Sequence, residues 1–226
     1  MGRPLRILLA GYAYHIVNRA NARVPIFTNE QDYLLFENTL FQACSKFEMR
    51  LCTYCIMPNH WHLVLWPQKD DEVSHFMRWL TLTHTQRWHS VHKTTGSGHL
   101  YQGRFKSFPV QNDSHFLTLC RYIERNPLNA AMVEKAEQWR WSAMWHRTNK
   151  TNRNNNLPHF QWPVDMPKDW QVLVNQVLQE KEIAEIKRAI EKNRPLGEVE
   201  WMMKTSLSLG LKSTMNGRGR PRRMRG

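Results

Sequence analysis

The sequence predicts an α+β fold: a ferredoxin-like antiparallel sheet with packed helices, plus a helical C-terminal extension and a basic tail. Three observations predict it. Short segments of apolar alternation and long segments with apolar residues three and four apart follow in the order β-α-β-β-α-β-α up to Pro127. Glycine, proline and asparagine punctuate the joins. The chain has 226 residues, 41% of them hydrophobic, enough for one compact domain with a sizeable core and an appendage.

Residues 12–18 alternate and are β-prone, which makes them the first strand. Thr28 or Asn29 can cap a helix over residues 30–47, because either side chain accepts from free backbone N–H groups. Phe36, Leu40, Ala43 and Phe47 then share one face. Residues 49–57 and 60–66 read as the second and third strands, paired as a hairpin through the Pro58-Asn59 turn. A long helix follows over residues 72–92, with Val73, Phe76, Met77, Leu80 and Thr83 or His84 as its inner stripe. Gly96 and Gly98 mark residues 94–99 as a loop. Residues 105–111 form the fourth strand, and Pro109, lacking a backbone donor, places it at an edge or a bulge. Asp113 or Ser114 caps a helix that ends before Pro127, bringing Phe116, Leu119, Tyr122, Ile123 and Asn126 near one another.

A tryptophan-rich stretch occupies residues 139–145, and the polar residues 149–156 read as a linker. Three short helices are predicted at 170–178, 183–190 and 199–209. The break at 193–197 gives the last two a helix-turn-helix-like spacing. The expected organisation is a main α+β domain at 1–147, a linker at 148–167, the helical extension at 168–216 and the basic tail at 217–226.

Arg218, Arg220, Arg222, Arg223 and Arg225 supply five of the formal +13 charges, so the rest of the chain still carries +8. A body basic in its own right points to a polyanion partner, although a ribosomal or merely basic protein shares that composition. No apolar run reaches the ~18 residues of a membrane span. The N-terminal apolar stretch, residues 7–10, is too short for a secretory core. The expectation is a soluble, cytoplasmic protein with no membrane partner. Cys52-Thr53-Tyr54-Cys55 has a metal or redox spacing, but no second such pair completes a four-ligand site. Small buried residues on a strand are the simpler reading.

His60-Trp61-His62 is the first chemical clue. On a strand, residues i and i+2 point to the same face, so two imidazoles sit side by side and can hold one cation. Both are neutral ligands, which leaves the ion its full charge to polarise a phosphate oxygen. The pattern alone is weak in a chain with 11 histidines. Tyr122 and Asn126 are the second clue. They lie i and i+4 on one helix, where a phenol and an amide oxygen can reach the same ion. A tyrosine on an apolar helix face is more often core, so this too is weak alone.

The two clues sit in longer motifs. Tyr54-Cys55-Ile56-Met57-Pro58-Asn59-His60-Trp61-His62-Leu63-Val64 resembles the signature of the Y1 transposases of the IS200/IS605 kind, and within them the branch of REP-associated tyrosine transposases. Ser97-Gly98-His99-Leu100-Tyr101-Gln102-Gly103-Arg104-Phe105-Lys106 and Cys120-Arg121-Tyr122-Ile123-Glu124-Arg125-Asn126-Pro127 resemble that branch too, as do Arg3-Pro4-Leu5-Arg6 and Tyr14-His15. The resemblance covers residues 1–147 and, more loosely, the C-terminal part. In Arg19-Ala20-Asn21-Ala22-Arg23 this chain has Ala where relatives more often have Gly after the Arg, which touches a loop conformation rather than the chemistry.

The resemblance implies a mechanism. Tyr122 would be the nucleophile, and His60, His62 and Asn126 would hold a divalent cation, Mg²⁺ or Mn²⁺. Single-stranded or hairpin DNA at REP-type palindromes would be nicked and rejoined through a 5′-phosphotyrosine, by a monomer or a homodimer. Gln102, Arg104 and Lys106 border the fourth strand and can contact DNA, although a solvated strand end looks the same. Arg218-Gly219-Arg220-Pro221-Arg222 resembles an AT-hook core, suited to a narrow minor groove; a non-specific phosphate-binding arm is the plainer alternative. Two other functions fit part of the pattern: a replication or mobilisation initiator nickase with the same chemistry, and a non-catalytic DNA-binding regulator. The first usually carries a helicase segment, which this chain lacks, and the second has no use for an intact His60, His62, Tyr122 and Asn126.

Overall fold

The computed structural model describes residues 7–149, 158 and 160–216. The seven predicted elements form in the predicted order. They are β1 (Ala13–Arg19), α1 (Glu30–Lys46), β2 (Arg50–Met57), β3 (His60–Trp66), α2 (Glu72–His92), β4 (Lys106–Val110) and α3 (Ser114–Glu124). The strands pair antiparallel in the order β2-β3-β1-β4, the ferredoxin-like arrangement. Caps start the helices where the sequence places them. The Asn29 side chain accepts from Asp32 N, and the Asp113 side chain from His115 N. Pro109 lies in β4, an outer strand, where its missing donor costs no ladder bond.

The strand alternation divides two apolar layers. Phe36, Leu40, Phe76 and Leu80 of α1 and α2 pack with Tyr14, Ile16, Tyr54, Trp61 and Leu63 on one face of the sheet. On the other face, Phe116, Leu119 and Ile123 of α3 pack with Ala13, Cys55, Val64 and Phe108. All four cysteines are free and buried, as their strand and helix positions predict. In the loop after β1, Ala20 has an ordinary φ of −58°, and the left-handed positions fall on Ala22 and Arg23 instead. A glycine directly after Arg19 is therefore not required by this backbone.

The C-terminal half departs from the sequence expectation. After α3 come α4 (Asn126–Asn129), α5 (Ala143–Thr148), α6 (Trp170–Asn175), α7 (Glu180–Lys192), α8 (Val199–Ser208) and α9 (Lys212–Met215). Trp170, Val174, Ile186, Ala189 and Leu196 are buried in the same cluster as Phe108 and Phe116, so residues 168–216 do not stand apart as an appendage. The physical reason is area. One 11-residue helix, α3, is too narrow to cover a four-stranded face, and α6 and α7 fill the remainder.

The described part of the predicted linker lies along β2. Phe160 bridges Leu51, and Trp162 Nε1 donates to Cys52 O at 2.7 Å. Farther along the same strand, Ile56 N donates to Trp141 O at 2.9 Å. The break at 193–197 is not a helix-turn-helix turn. Leu196 pairs with the outer side of β4, its N–H donating to Pro109 O at 3.0 Å and its O accepting from Gln111 N at 2.9 Å. The rest of the linker, residues 150–157 and 159, and the basic tail, 217–226, lie outside the described residues.

This packing makes a stability prediction. Trp170 is 4% exposed, and its indole N–H donates to Glu124 Oε2 at 2.8 Å. Trp170→Ala removes that bond and opens a cavity in the shared core, so it should cost about 3–5 kcal/mol. Urea unfolding followed by both far-UV circular dichroism and tryptophan fluorescence checks it. An unchanged transition for the sheet would mean that the C-terminal helices fold on their own.

Candidate active site

The site forms where the second face of the sheet meets α3. His60 opens β3 and His62 follows two residues on, so both imidazoles lie on the α3 side, with ring centroids 5.1 Å apart. Trp61 between them turns into the opposite layer, where its Nε1 donates to Tyr101 Oη at 3.1 Å. Pairing with β1 sets Arg19 opposite His60 and Val17 opposite His62. On the next strand out, Lys106 stands opposite Val17.

α3 brings Tyr122 over this corner. Its ring lies 6.4 Å from that of His62, nearly perpendicular at 85°. Asn126, one turn on at the start of α4, has its Nδ2 buried without a hydrogen-bond partner. These four side chains line one cleft of about 1240 Å³, which Arg19, Gln102, Arg104 and Lys106 also border. The far wall of the cleft comes from the C-terminal helices, including Lys187, Asn193 and residues 209–211.

Each of the two histidines has one ring nitrogen engaged. His60 Nδ1 lies 2.7 Å from Asn59 Oδ1, and His62 Nδ1 lies 2.8 Å from His15 Nε2. In both rings Nε2 is left outside that contact. Burial pushes the His60 pKa down to about 4, helped by Arg19. Burial, then the neighbouring His15, His60 and Arg19, holds His62 well below the usual imidazole range. Both rings are therefore neutral near pH 7, with a lone pair to offer. Burial raises the Tyr122 pKa, while the positive charge of Arg19 pulls it back down, so the phenol keeps its proton at neutral pH.

α3 is fixed from beneath and from outside. Glu124 is fully buried and accepts from Thr53 Oγ1 of β2 at 2.5 Å, from Trp170 Nε1 and from Arg147. On the outer side Arg121 Nε donates to Leu173 O at 2.9 Å and Arg125 Nη1 to Val174 O at 3.2 Å, carbonyls at the end of α6. These arginines complement the negative end of that helix.

The structure thus brings His60, His62, Tyr122 and Asn126 together. It also places Gln102, Arg104 and Lys106 on the rim of the same cleft, all three exposed. The Lys106 ammonium donates to Ile190 O near the end of α7, at 3.2 Å, so part of its charge already serves the fold. Arg218, Arg220 and Arg222 lie outside the described residues. Sequence reasoning does not single out His15 for the chemistry. The signal that finds it is register: His15 is two residues from Val17, the partner of His62, on the same face of β1. Among the described residues no three His, Cys, Asp or Glu side chains cluster as a metal-ligand set, and no helix is long and apolar enough to cross a membrane.

A family model described as "Transposase IS200 like" matches residues 9–126, slightly more than half of the chain. A Haemophilus influenzae protein provisionally named a REP-associated tyrosine transposase is 27% identical over 147 residues, covering 60% of this chain and 80% of the relative. A solved structure of a REP-associated tyrosine transposase bound to a REP hairpin shares the fold, with a TM-score of 0.54 at 19% identity. The match covers 79% of this chain and all of that one. A provisionally named transposase of Deinococcus radiodurans matches with a TM-score of 0.38 at 21% identity, over 55% of this chain and 95% of its own.

Proposed function

The chain belongs to the IS200-like transposase family, and from that premise we propose that it nicks and rejoins REP-type hairpin DNA with Tyr122 as nucleophile and His60, His62 and Asn126 as ligands of a divalent cation. The observation that carries the reading is the meeting of a phenol, two neutral imidazoles and an unpartnered amide in one basic-rimmed cleft. The structural relative is bound to a REP hairpin, and the +13 charge of this chain suits such a polyanion.

The residues fit a cation that takes part of its shell from the substrate. Two imidazoles with Nε2 uncommitted and one amide, whose oxygen can be turned inward because its nitrogen has no partner, make three neutral donors. When bound, Mg²⁺ or Mn²⁺ would supply charge withdrawal from the scissile phosphate. Tyr122 Oη attacks phosphorus as its own proton is lost. The new bond joins Oη to phosphorus, and the bond to the 3′-oxygen breaks. Its electron pair stays on that oxygen, which leaves as a 3′-OH after taking up a proton. The 5′-phosphotyrosine retains the bond energy, so a second 3′-OH can reverse the step and join strands. Tyr122 and the histidines come from the same chain, so one copy carries the full set.

Arg19 has a testable part in this. It is the charge that lowers the Tyr122 pKa, so removing it raises that pKa and leaves less phenolate at any given pH. Arg19→Gln should slow cleavage at pH 7 by roughly fivefold at most, since an exposed charge is worth about 1 kcal/mol or less. It should also move the alkaline rise of the rate to higher pH. Single-turnover rates at saturating DNA across pH test this; superimposable profiles would remove Arg19 from the chemistry.

The function itself is tested with labelled single-stranded DNA carrying hairpins from the flanks of the gene, incubated with the protein and Mn²⁺. A labelled band that survives denaturation and disappears with protease is the expected result. No such adduct on any flanking hairpin would overturn the proposal.

A further inference from the structure

We propose that His15 is a positioning residue for the cation site: its imidazole holds His62 so that Nε2 is the ring nitrogen presented to the ion. The inference rests on the reading of His60 and His62 as ligands. His15 is fully buried in the middle of β1. Its ring stacks on that of His62 with centroids 5.1 Å apart and planes 20° from parallel, and its Nε2 lies 2.8 Å from His62 Nδ1. Phe108 packs against His15 from β4, with centroids 4.8 Å apart, so the ring is held from two sides. Asn59 does for His60 what His15 does for His62, engaging Nδ1 at 2.7 Å. The two ligand rings are thus held by the same nitrogen, from two different partners.

The proton count gives that contact a direction. A ligating Nε2 carries no proton, so neutral His62 must carry its proton on Nδ1 and donate to His15 Nε2. His15 then keeps its own proton on Nδ1. In the opposite direction His15 donates, the His62 proton sits on Nε2, and that nitrogen is closed to a cation. His15 Nδ1 is buried without a partner, so no group behind it dictates which way the bond runs. The ion and His15 together select the tautomer, the role that outer partners of metal-bound histidines play elsewhere. Two polar rings in an apolar layer are costly unless they serve each other or a ligand.

The test measures ion binding without DNA or turnover. Full-length wild type, His15→Leu, His15→Gln and His62→Ala are titrated with Mn²⁺, and the free ion is read by its EPR signal. His15→Leu keeps the bulk and removes the acceptor, and should weaken Mn²⁺ binding tenfold to a hundredfold. His15→Gln restores an acceptor at similar reach and should recover most of the affinity. In the wild type, ¹⁵N spectra of the histidine rings should show the His62 proton on Nδ1 at saturating Mg²⁺, a measurement that does not depend on any variant folding. Wild-type affinity in His15→Leu, a Gln variant as weak as Leu, or a His62 proton that stays on Nε2 would each overturn the inference. Weak binding by His62→Ala alone leaves the ligand assignment standing while His15 fails; tight binding by His62→Ala removes both.

Discussion

Tyr122→Phe is expected to abolish strand cleavage while leaving the fold and hairpin binding in place. The substitution removes one oxygen and keeps the ring, which packs at the edge of the second apolar layer beside His62. Nothing else in the layer has to move. With no nucleophile, the rate should fall by a factor on the order of 10⁴ or more. The measurement is the covalent adduct on a denaturing gel, with binding followed separately by fluorescence anisotropy. An adduct that persists would assign the chemistry to another residue. Tyr101, the tyrosine in the adjoining motif, is not placed to supply it. Its Oη lies between Trp61 Nε1 at 3.1 Å and His84 Nδ1 at 2.7 Å, in the layer on the far side of the sheet.

His60→Ala and His62→Ala should each suppress cleavage by roughly 10²-fold or more, and a chelator should silence the wild type. The two variants should differ in stability. His60 is half-buried at the mouth of the cleft, whereas His62 is 4% exposed, and its loss leaves buried His15 Nε2 unpaired. An unsatisfied buried group costs about 1–3 kcal/mol, so His62→Ala should melt earlier than His60→Ala. Asn126→Ala should do less harm to cleavage than either, because water can replace a neutral amide oxygen. Cleavage that continues undiminished in excess chelator would sink the ligand assignment, whatever the variants do.

The local half of this site was legible in the sequence. Alternation places His60 and His62 on one side of a strand, and a helical turn places Tyr122 and Asn126 together; neither inference needs tertiary information. The parts that escaped depend on which element meets which. His15 faces His62 only because β1 pairs with β3 in one register. Arg121 and Arg125 stand beside Tyr122 and Asn126 in the sequence, but only the tertiary fold sets their guanidinium groups on carbonyls 52 and 49 residues away. The helices at 170–178 and 183–190 were visible as segments, but a helix segment does not name its partner. Reading them as a separate unit overlooked how little of a four-stranded face α3 covers alone.

The strand-like contacts of Phe160 and Leu196 cover parts of the two open edges of the sheet. β2 and β4 are the outer strands, and an outer strand with free N–H and C=O groups is a template for another chain. Here Leu196 occupies the open side of β4 from Pro109 to Gln111, and Phe160 and Trp162 occupy that of β2 at Leu51 and Cys52. A second copy cannot extend the sheet at those positions without displacing them. Shortening the chain after α5 would strip both strands at once, and the product is expected to pair with itself and aggregate although His60, His62, Tyr122 and Asn126 are all still present. The edge contacts of Phe160, Trp162 and Leu196 are therefore expected to protect solubility, and an expression series of C-terminal truncations should show a step to insolubility once Leu196 is lost.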